Sequence, residues 1–510
     1  MFKDYNVYSD ETFHRWAGNL YYLFIKDFFI NYSLENKTAI TIIDFSQTDG
    51  FKDWFIGPIF FDLICEFLID LLNLSESISV YHLRHFINYS IFFTSGIFFY
   101  FLLLKRFQNK FFSIIAIIYY YYSPRIFAEA FYNTKDVLFL SFVTISIFFA
   151  HNYLKNNSLK NLIIFSIFAG ITANIRILGI FIPVLLFFII FFEDTQNKSD
   201  FFINFKKFII SLTIVSILIF IFWPFLWFSP LENLLYYLKF LSSINSSYLI
   251  DNIFNGKIIS SVNIPWYYLI TWISITLPAS LVFFSFVSLA YSFIFFFNRL
   301  LNFDVKNCFC NSLNEKIDFF IFIFFFIFFF LTISTSDFNG WRHFYFLFFP
   351  IVYFFAYFLN IIKKLEYSTF LKIIYFVIFF DIFYNFYWIV KNHSFQYVYF
   401  NQIKNKILRT NFDLDYWGLS EKNALEYILK NDLSDQININ SISDYSWIRG
   451  SISMLNKQNQ KRIKLVNIND ANYLIDRSLF SKKENLALSS YSIYYEVIVD
   501  NSPIIRVYKK

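Results

Sequence analysis

Ten apolar segments run through this chain, at about residues 86–104, 111–127, 137–154, 160–175, 177–192, 208–228, 268–297, 317–333, 343–359 and 371–390. The loops between them alternate between a basic set and a set that holds most of the residues able to do chemistry. A helix rises ~1.5 Å per residue and the hydrocarbon core of a bilayer is ~30 Å thick, so stretches near twenty residues can span it. Several of these are short. Residues 160–192 read as a helix pair broken at Asn174–Arg176, and 268–297 is long enough to enter tilted or bent. The sequence is 57% hydrophobic, above the apolar share of soluble domains, so the bilayer is its solvent.

The loops at 105–110 (Lys105, Arg106, Lys110), 155–160 (Lys155, Lys160), 193–207 (Lys198, Lys206, Lys207), 298–316 (Arg299, Lys306, Lys316) and 360–372 (Lys363, Lys364, Lys372) are the basic set. The positive-inside bias places them in the cytoplasm. The opposite loops carry Arg125, Lys135, Arg176, Lys239, Lys257 and Arg342 as their only cations, and ten spans leave both termini outside. The net charge of +6 is spread over alternate loops with no basic stripe of interleaved aromatics, so no nucleic-acid partner is expected. Inner-leaflet lipid accounts for the cations. Cys65, Cys308 and Cys310 make neither a disulfide framework nor a four-ligand zinc site, and no metal or cofactor is expected.

Three regions follow. Residues 1–85 form an outer-face segment with amphipathic stretches at about 15–32 and 55–73, where Asp62, Glu66 and Asp70 recur on one face and read as a solvated stripe. Residues 86–390 form the membrane domain, whose long outer loop at 229–266 reads as a substrate-covering segment. Residues 391–510 alternate in soluble style, with a helical pattern at 420–430, strand-like runs at 437–442, 462–468 and 472–476, and a hairpin from Tyr494 to Tyr508 turning at Asp500–Pro503. The fold class is an α-helical polytopic membrane protein with a small C-terminal soluble α/β domain.

Acids and cations of both signs gather at the outer rim: Asp10, Glu11, Arg84, His85, Arg125, Glu129, Lys135, Asp136, Arg176, Asp337, Arg342 and His343. Such pairs suit a reaction in which a carboxylate takes a proton while cations hold a departing phosphate. With no two at metal-ligand spacing, the histidines read as interfacial hydrogen-bonding groups. Tyr119–Tyr122 read as an aromatic belt. Asp381, mid-span in the tenth segment, requires a polar neighbour or a proton.

The stretch Tyr8-Ser9-Asp10-Glu11, ahead of amphipathic helices and many spans, resembles the acidic first outer loop of the GT-C membrane glycosyltransferases, a group that includes protein O-mannosyltransferases and aminoarabinose transferases. Gly57-Pro58 with Phe61-Asp62, Leu83-Arg84-His85, Asn133-Thr134-Lys135-Asp136, Gly340-Trp341-Arg342-His343-Phe344-Tyr345, Gln396 to Asn401 and Leu414-Asp415-Tyr416-Trp417-Gly418 extend the likeness over nearly the whole chain. The resemblance implies a GT-C-like fold and an enzyme that moves a sugar from a polyprenyl-phosphate donor to a protein, lipid or glycan acceptor, with inversion. It implies Asp10 as general base, with Glu11 as neighbour or substitute. By position alone, Arg125, Lys135, Arg176 and Arg342 are candidate donor-phosphate ligands, and Arg84, His85, Glu129, Asp136, Asp337 and His343 candidate pocket residues. In the family a membrane helix precedes this loop, so a leading helix upstream of Met1 is expected. The implied location is the bacterial inner membrane, with the site and the C-terminal domain on the periplasmic side. The alternatives are a secondary transporter, which would place its groups at midplane on broken helices, and a non-catalytic assembly protein with a lectin-like outer domain.

Overall fold

The computed structural model describes residues 1–30, 56–193, 198–247, 250–302, 309–334, 338–363, 369–401, 411–442, 445–477 and 490–510. The chain opens with α1 (Ser9–Ile30), whose first turn carries Asp10 and Glu11 beside the positive end of the helix dipole. It packs on α2 (Phe60–Leu71). The two approach closely because Gly18 has no side chain: a Cβ there would stand 2.5 Å from the Asp62 Cβ.

Next come α3 (Ser77–Phe107), α4 (Lys110–Tyr122), α5 (Pro124–Tyr132), α6 (Asp136–Lys155), α7 (Leu159–Ala173), α8 (Phe181–Glu193) and α9 (Lys198–Phe222). At 31 residues α3 begins nine residues ahead of the first apolar segment and runs ~46 Å, longer than a bilayer core. Its first turns carry Arg84 and His85 against Glu11 of α1 and Asp62 of α2. Between α4 and α5 the chain bends by 60° at Ser123–Pro124, where proline lacks the N–H a continuing helix needs.

Residues 229–266 form α10 (Pro230–Ser247) and the hairpin β1 (Asp251–Phe254) with β2 (Lys257–Ser260). The long apolar stretch that follows is split at Leu277–Pro278 into α11 (Tyr268–Thr276) and α12 (Ala279–Leu301). Then come α13 (Leu313–Ser334), α14 (Phe348–Ile362), entered through a 3-10 turn at Arg342–Leu347, and α15 (Thr369–Lys391). Serines stitch α12 to α14: Ser285 donates to the Ile351 carbonyl at 2.7 Å and Ser288 to that of Phe354 at 2.5 Å. Small polar residues allow such close contact between membrane helices.

Among the described residues, six helices are long and apolar enough to cross a membrane, and the bent α4–α5 pair makes a seventh if taken as one span. Every apolar segment is helical. Helices α7 and α8, of 15 and 13 residues, are shorter than a full span.

Two further sequence expectations are corrected. The acid stripe is not a solvated face: Asp62 and Glu66 are buried against Arg84 and Arg15, and Asp70 alone is exposed, bonded to Lys26. Nor do Tyr119 and Tyr120 sit in a belt. Both are buried, Tyr119 donating to Asp381 and Tyr120 bonded to Ser95. Asp381 has the polar neighbours its depth requires, accepting also from the Ser280 amide and hydroxyl and from Asn385.

The C-terminal domain comprises α16 (Glu421–Asn431), β3 (Ile437–Ser441), α17 (Tyr445–Ser453), α18 (Lys457–Arg462), β4 (Ile463–Leu465), β5 (Tyr473–Asp476), β6 (Ser492–Val499) and β7 (Ser502–Lys509). The sheet order is β4-β3-β5-β7-β6, with β3 parallel to both its neighbours and β7 antiparallel to both of its own. The hairpin turns on Asp500 and Asn501, both at positive φ as a tight primed turn demands.

Gly18→Ala should push α1 away from α2 and disturb Asp62. A loss of about 1–3 kcal/mol is expected for such overpacking, read as a lower melting temperature in detergent.

Candidate active site

Asp10 lies in the first turn of α1, and its Oδ2 accepts from Arg342 Nη1 at 2.9 Å. Arg342 opens the turn that leads into α14, and the same Nη1 is 3.9 Å from Asp136 Oδ2. Asp136, at the start of α6, is ion-paired in turn with Arg176, which follows the end of α7. Two acids and two arginines from four separated parts of the chain thus form one charge chain.

Asn133 shapes the loop that places Asp136. Its Oδ1 accepts from the Asp136 amide at 2.8 Å and the Lys135 amide at 3.3 Å, while its Nδ2 donates to Glu129 and Asp136. The loop therefore closes on its own side chain, as asparagine does when it mimics a turn. Lys135 is sent to the Pro58 carbonyl at 3.0 Å, and burial pushes its ammonium down to about 8 against the pull of Asp62, Asp136 and Asp10. On the other side, the Tyr8 hydroxyl bonds Thr134 at 3.1 Å and the His14 ring at 3.0 Å. Burial and the surrounding cations Lys135, Arg84, Arg342 and Arg176 hold His14 well below its usual pKa, so it is neutral near pH 7.

The sequence candidates separate into groups. Asp10, Asp136, Arg176 and Arg342 come together, with Lys135 beside them. Glu11, next to Asp10 in sequence, turns the other way. It is fully buried and accepts from Arg84 Nε and His85 Nε2, each at 3.1 Å, while Arg84 also holds Asp62 at 2.6 Å. Arg84 and His85 therefore belong to a buried ionic knot joining α1, α2 and α3. Arg125 is buried, donates to the Tyr399 carbonyl at 3.3 Å and lies over the Trp272 and Phe400 rings. Glu129 accepts from Trp417, Tyr345, Tyr416 and Asn133. His343 stacks edge-on against Phe338. Asp337 lies outside the described residues.

Exposure distinguishes the acids. The Asp10 side chain is 26% exposed, against 2% for Asp136 and 0% for Glu11, so of these three Asp10 alone has surface an incoming hydroxyl could reach. Among the described residues, the buried Nε atoms of Arg342 and Arg176 have no hydrogen-bond acceptor. Donors of that kind suit an oxyanion. Among the described residues no group of three His, Cys, Asp or Glu is placed to hold a metal ion.

Sequence reasoning gave no role to Trp417, Tyr416, Tyr345 or Tyr8, which frame this cluster. Their strings had been singled out, but nothing in a string shows that residue 417 meets residue 129.

Residues 77–228 match the family model for dolichyl-phosphate-mannose-protein mannosyltransferase, so over α3 to α9 the chain is similar to that family. The match takes in Arg84, Glu129, Lys135, Asp136 and Arg176 but neither Asp10 nor Arg342. Among solved structures, the chain is similar to ArnT from Cupriavidus metallidurans bound to undecaprenyl phosphate, at 9% identity and a TM-score of 0.45, covering 89% of this chain and 88% of that one. It is also similar to the archaeal oligosaccharyltransferase AglB from Archaeoglobus fulgidus in complex with an inhibitory peptide and a dolichol-phosphate, at 12% identity and a TM-score of 0.43, covering 82% and 61%. No curated protein matches the chain.

Arg84→Ala should leave Glu11 and Asp62 buried without their cation, at a cost of about 3–5 kcal/mol, and folded yield should collapse. Glu11→Gln, which keeps Arg84 on Asp62, should cost clearly less. Chromatographic yield and melting temperature compare the two.

Proposed function

We propose that this protein transfers a sugar from a polyprenyl-phosphate donor to an acceptor hydroxyl, with Asp10 as general base and the anomeric configuration inverted. The observation that carries the reading is Asp10: a partly open carboxylate fixed by Arg342, in a cluster whose cations Arg342, Arg176 and Lys135 outnumber, among the described residues, its carboxylates Asp10 and Asp136. An anionic leaving group needs that surplus, and a base needs hydrogen-bond reach in its ionised form.

In the proposed step, Asp10 takes the proton of the acceptor hydroxyl as its oxygen attacks the anomeric carbon. The bond from that carbon to the lipid phosphate breaks, and the electron pair leaves with the phosphate. Arg342 and Arg176 supply charge where it develops, through donors already buried and oriented, so little reorganisation is needed. The donor class follows from the family whose model matches α3 to α9. The acceptor is a protein, lipid or glycan bearing a hydroxyl, approached from the outer face, with the inner membrane of a bacterium as the site of action. Arg125, held on Tyr399 and two rings, and His343, against Phe338, fit as packing of the pocket wall more than as phosphate ligands.

Asp10→Asn should lower transfer from an undecaprenyl-phosphate sugar by about 10²–10⁴-fold, the range of general-base contributions, while the protein stays folded. Product is counted by mass spectrometry in reconstituted vesicles. Undiminished turnover removes Asp10 from the mechanism, and uptake of substrate without a glycosidic product favours transport.

Lys135 is charged below about pH 8 and neutral above it. The kcat/KM for the donor, which reports the free enzyme, should therefore fall as pH rises through about 8. Lys135→Met should start lower and lose that limb of the profile. An unchanged limb in the variant would exclude Lys135 from donor binding.

A further inference from the structure

Glu129, in the last turn of α5, is fully buried, and both of its carboxylate oxygens are occupied. Oε1 accepts from Trp417 Nε1 at 2.9 Å, the Tyr345 hydroxyl at 3.2 Å and the Tyr416 hydroxyl at 3.3 Å, and Oε2 accepts from Asn133 at 2.8 Å. A carboxylate without open surface cannot meet a substrate. Its bonds instead fix what donates to it, because releasing any of them would leave a buried acceptor short of a partner.

The most consequential of these donors is Trp417. It is 1% exposed and comes from the segment that follows α15 and leads into the C-terminal domain. Its backbone is pinned on both sides. Asp415 accepts from the Leu419 and Ser420 amides, and Gly418, at φ +72°, turns the chain so that its carbonyl accepts from Asn6. With backbone and indole N–H both held, the ring has one orientation, and the Arg342 guanidinium lies 4.4 Å from its centroid. Phe338 contributes a second ring 5.0 Å from the same guanidinium.

Arg342 needs such support. A long side chain with several rotamers presents its planar fork to a phosphate only if that plane is fixed, and tryptophan offers the strongest aromatic face for a cation. One nitrogen of Arg342 is spent on Asp10, and its buried Nε has no acceptor among the described residues.

We propose that Trp417 is a positioning residue: anchored on Glu129, it sets the plane of the Arg342 guanidinium, so that the segment after the last membrane helix completes the phosphate end of the site. This rests on the reading that Arg342 faces the donor phosphate. The membrane helices alone do not make the site: an arginine at the mouth of α14 is oriented by a residue from the soluble side of the chain. The segment that joins the last membrane helix to the C-terminal domain thus has a role in the reaction without touching the sugar.

The test is a double-mutant cycle on the full chain in nanodiscs, reading equilibrium binding of undecaprenyl phosphate. Trp417→Leu, which keeps bulk but removes the aromatic face, should weaken binding about tenfold. Trp417→Phe, which keeps a face but loses the N–H that Glu129 holds, should recover part of that loss. In an Arg342→Ala background, Trp417→Leu should weaken binding no further, because there is no guanidinium left to orient. If Leu and Phe weaken binding equally, or if the Leu loss persists in full without Arg342, Trp417 is packing alone and the proposal falls. Should the Leu variant not fold, the Phe variant with and without Arg342 carries the same comparison, an additive loss again overturning the proposal. Lipid-phosphate binding does not require a base, so active Asp10→Asn enzyme would sink the base assignment and leave this inference standing. Failure of the unaltered protein to bind undecaprenyl phosphate would overturn the donor reading and this inference together.

Discussion

One ion pair closes this molecule on itself. Asp10 and Arg342 stand 332 positions apart in sequence, and the bond between them brings the first turn of α1 onto the mouth of α14. Charges at the edge of a low-dielectric bundle persist only when paired, and Arg342 reaches a second acid, Asp136, which holds Arg176. Each member therefore constrains the next. The amino-terminal helix, α6, the end of α7 and the entry to α14 are held in a single arrangement by one electrostatic requirement.

The other end of the bundle shows what a cluster without chemistry looks like. There Arg106 pairs with Asp318 through two of its nitrogens, and the Tyr353 hydroxyl donates to the same carboxylate. Charge is balanced and the acid is 4% exposed, so the group locks α3 to α13 and α14 and offers nothing to a substrate. At the Asp10 end the balance differs. Among the described residues, the cations Arg342, Arg176 and Lys135 exceed the carboxylates Asp10 and Asp136, Asp10 keeps open surface, and the Nε donors of Arg342 and Arg176 lack acceptors. Closed and open clusters use the same residue types, and only the count and the exposure separate them.

Much of the helical layout was legible from hydropathy, because bilayer thickness forces long apolar runs and loop charge sorts them into two sets. All ten apolar segments are helical, the break near Asn174–Arg176 is present, and the soluble strands and hairpin fall within a few residues of their expected places. Hydropathy failed where burial came from protein instead of lipid. Helix α3 continues well beyond its apolar stretch because Arg84 and His85 are paired with Glu11, and such pairing conceals polar residues that a sequence scan assigns to a loop. The same cause misled the reading of Asp62 and Glu66, whose regular spacing imitates a solvated face while Arg84 and Arg15 bury them. Tyr119 and Tyr120 of α4 turned inward because Asp381 and Ser95 supplied partners that no local pattern reveals.

The sequence by itself determined the membrane class, the helix periods, the soluble carboxyl-terminal domain and the set of loops in which acids and cations of both signs occur. Those properties are local or additive: they depend on what each stretch prefers to bury. Which acid stands open, which arginines share it and which aromatic ring steadies them were decided only by the tertiary structure. Asp10 and Glu11 are neighbours of equal charge, yet successive residues on a helix point about 100° apart, so one meets Arg342 at the rim and the other Arg84 in the interior. Nothing in the dipeptide distinguishes them, because the difference lies in partners contributed by distant parts of the chain.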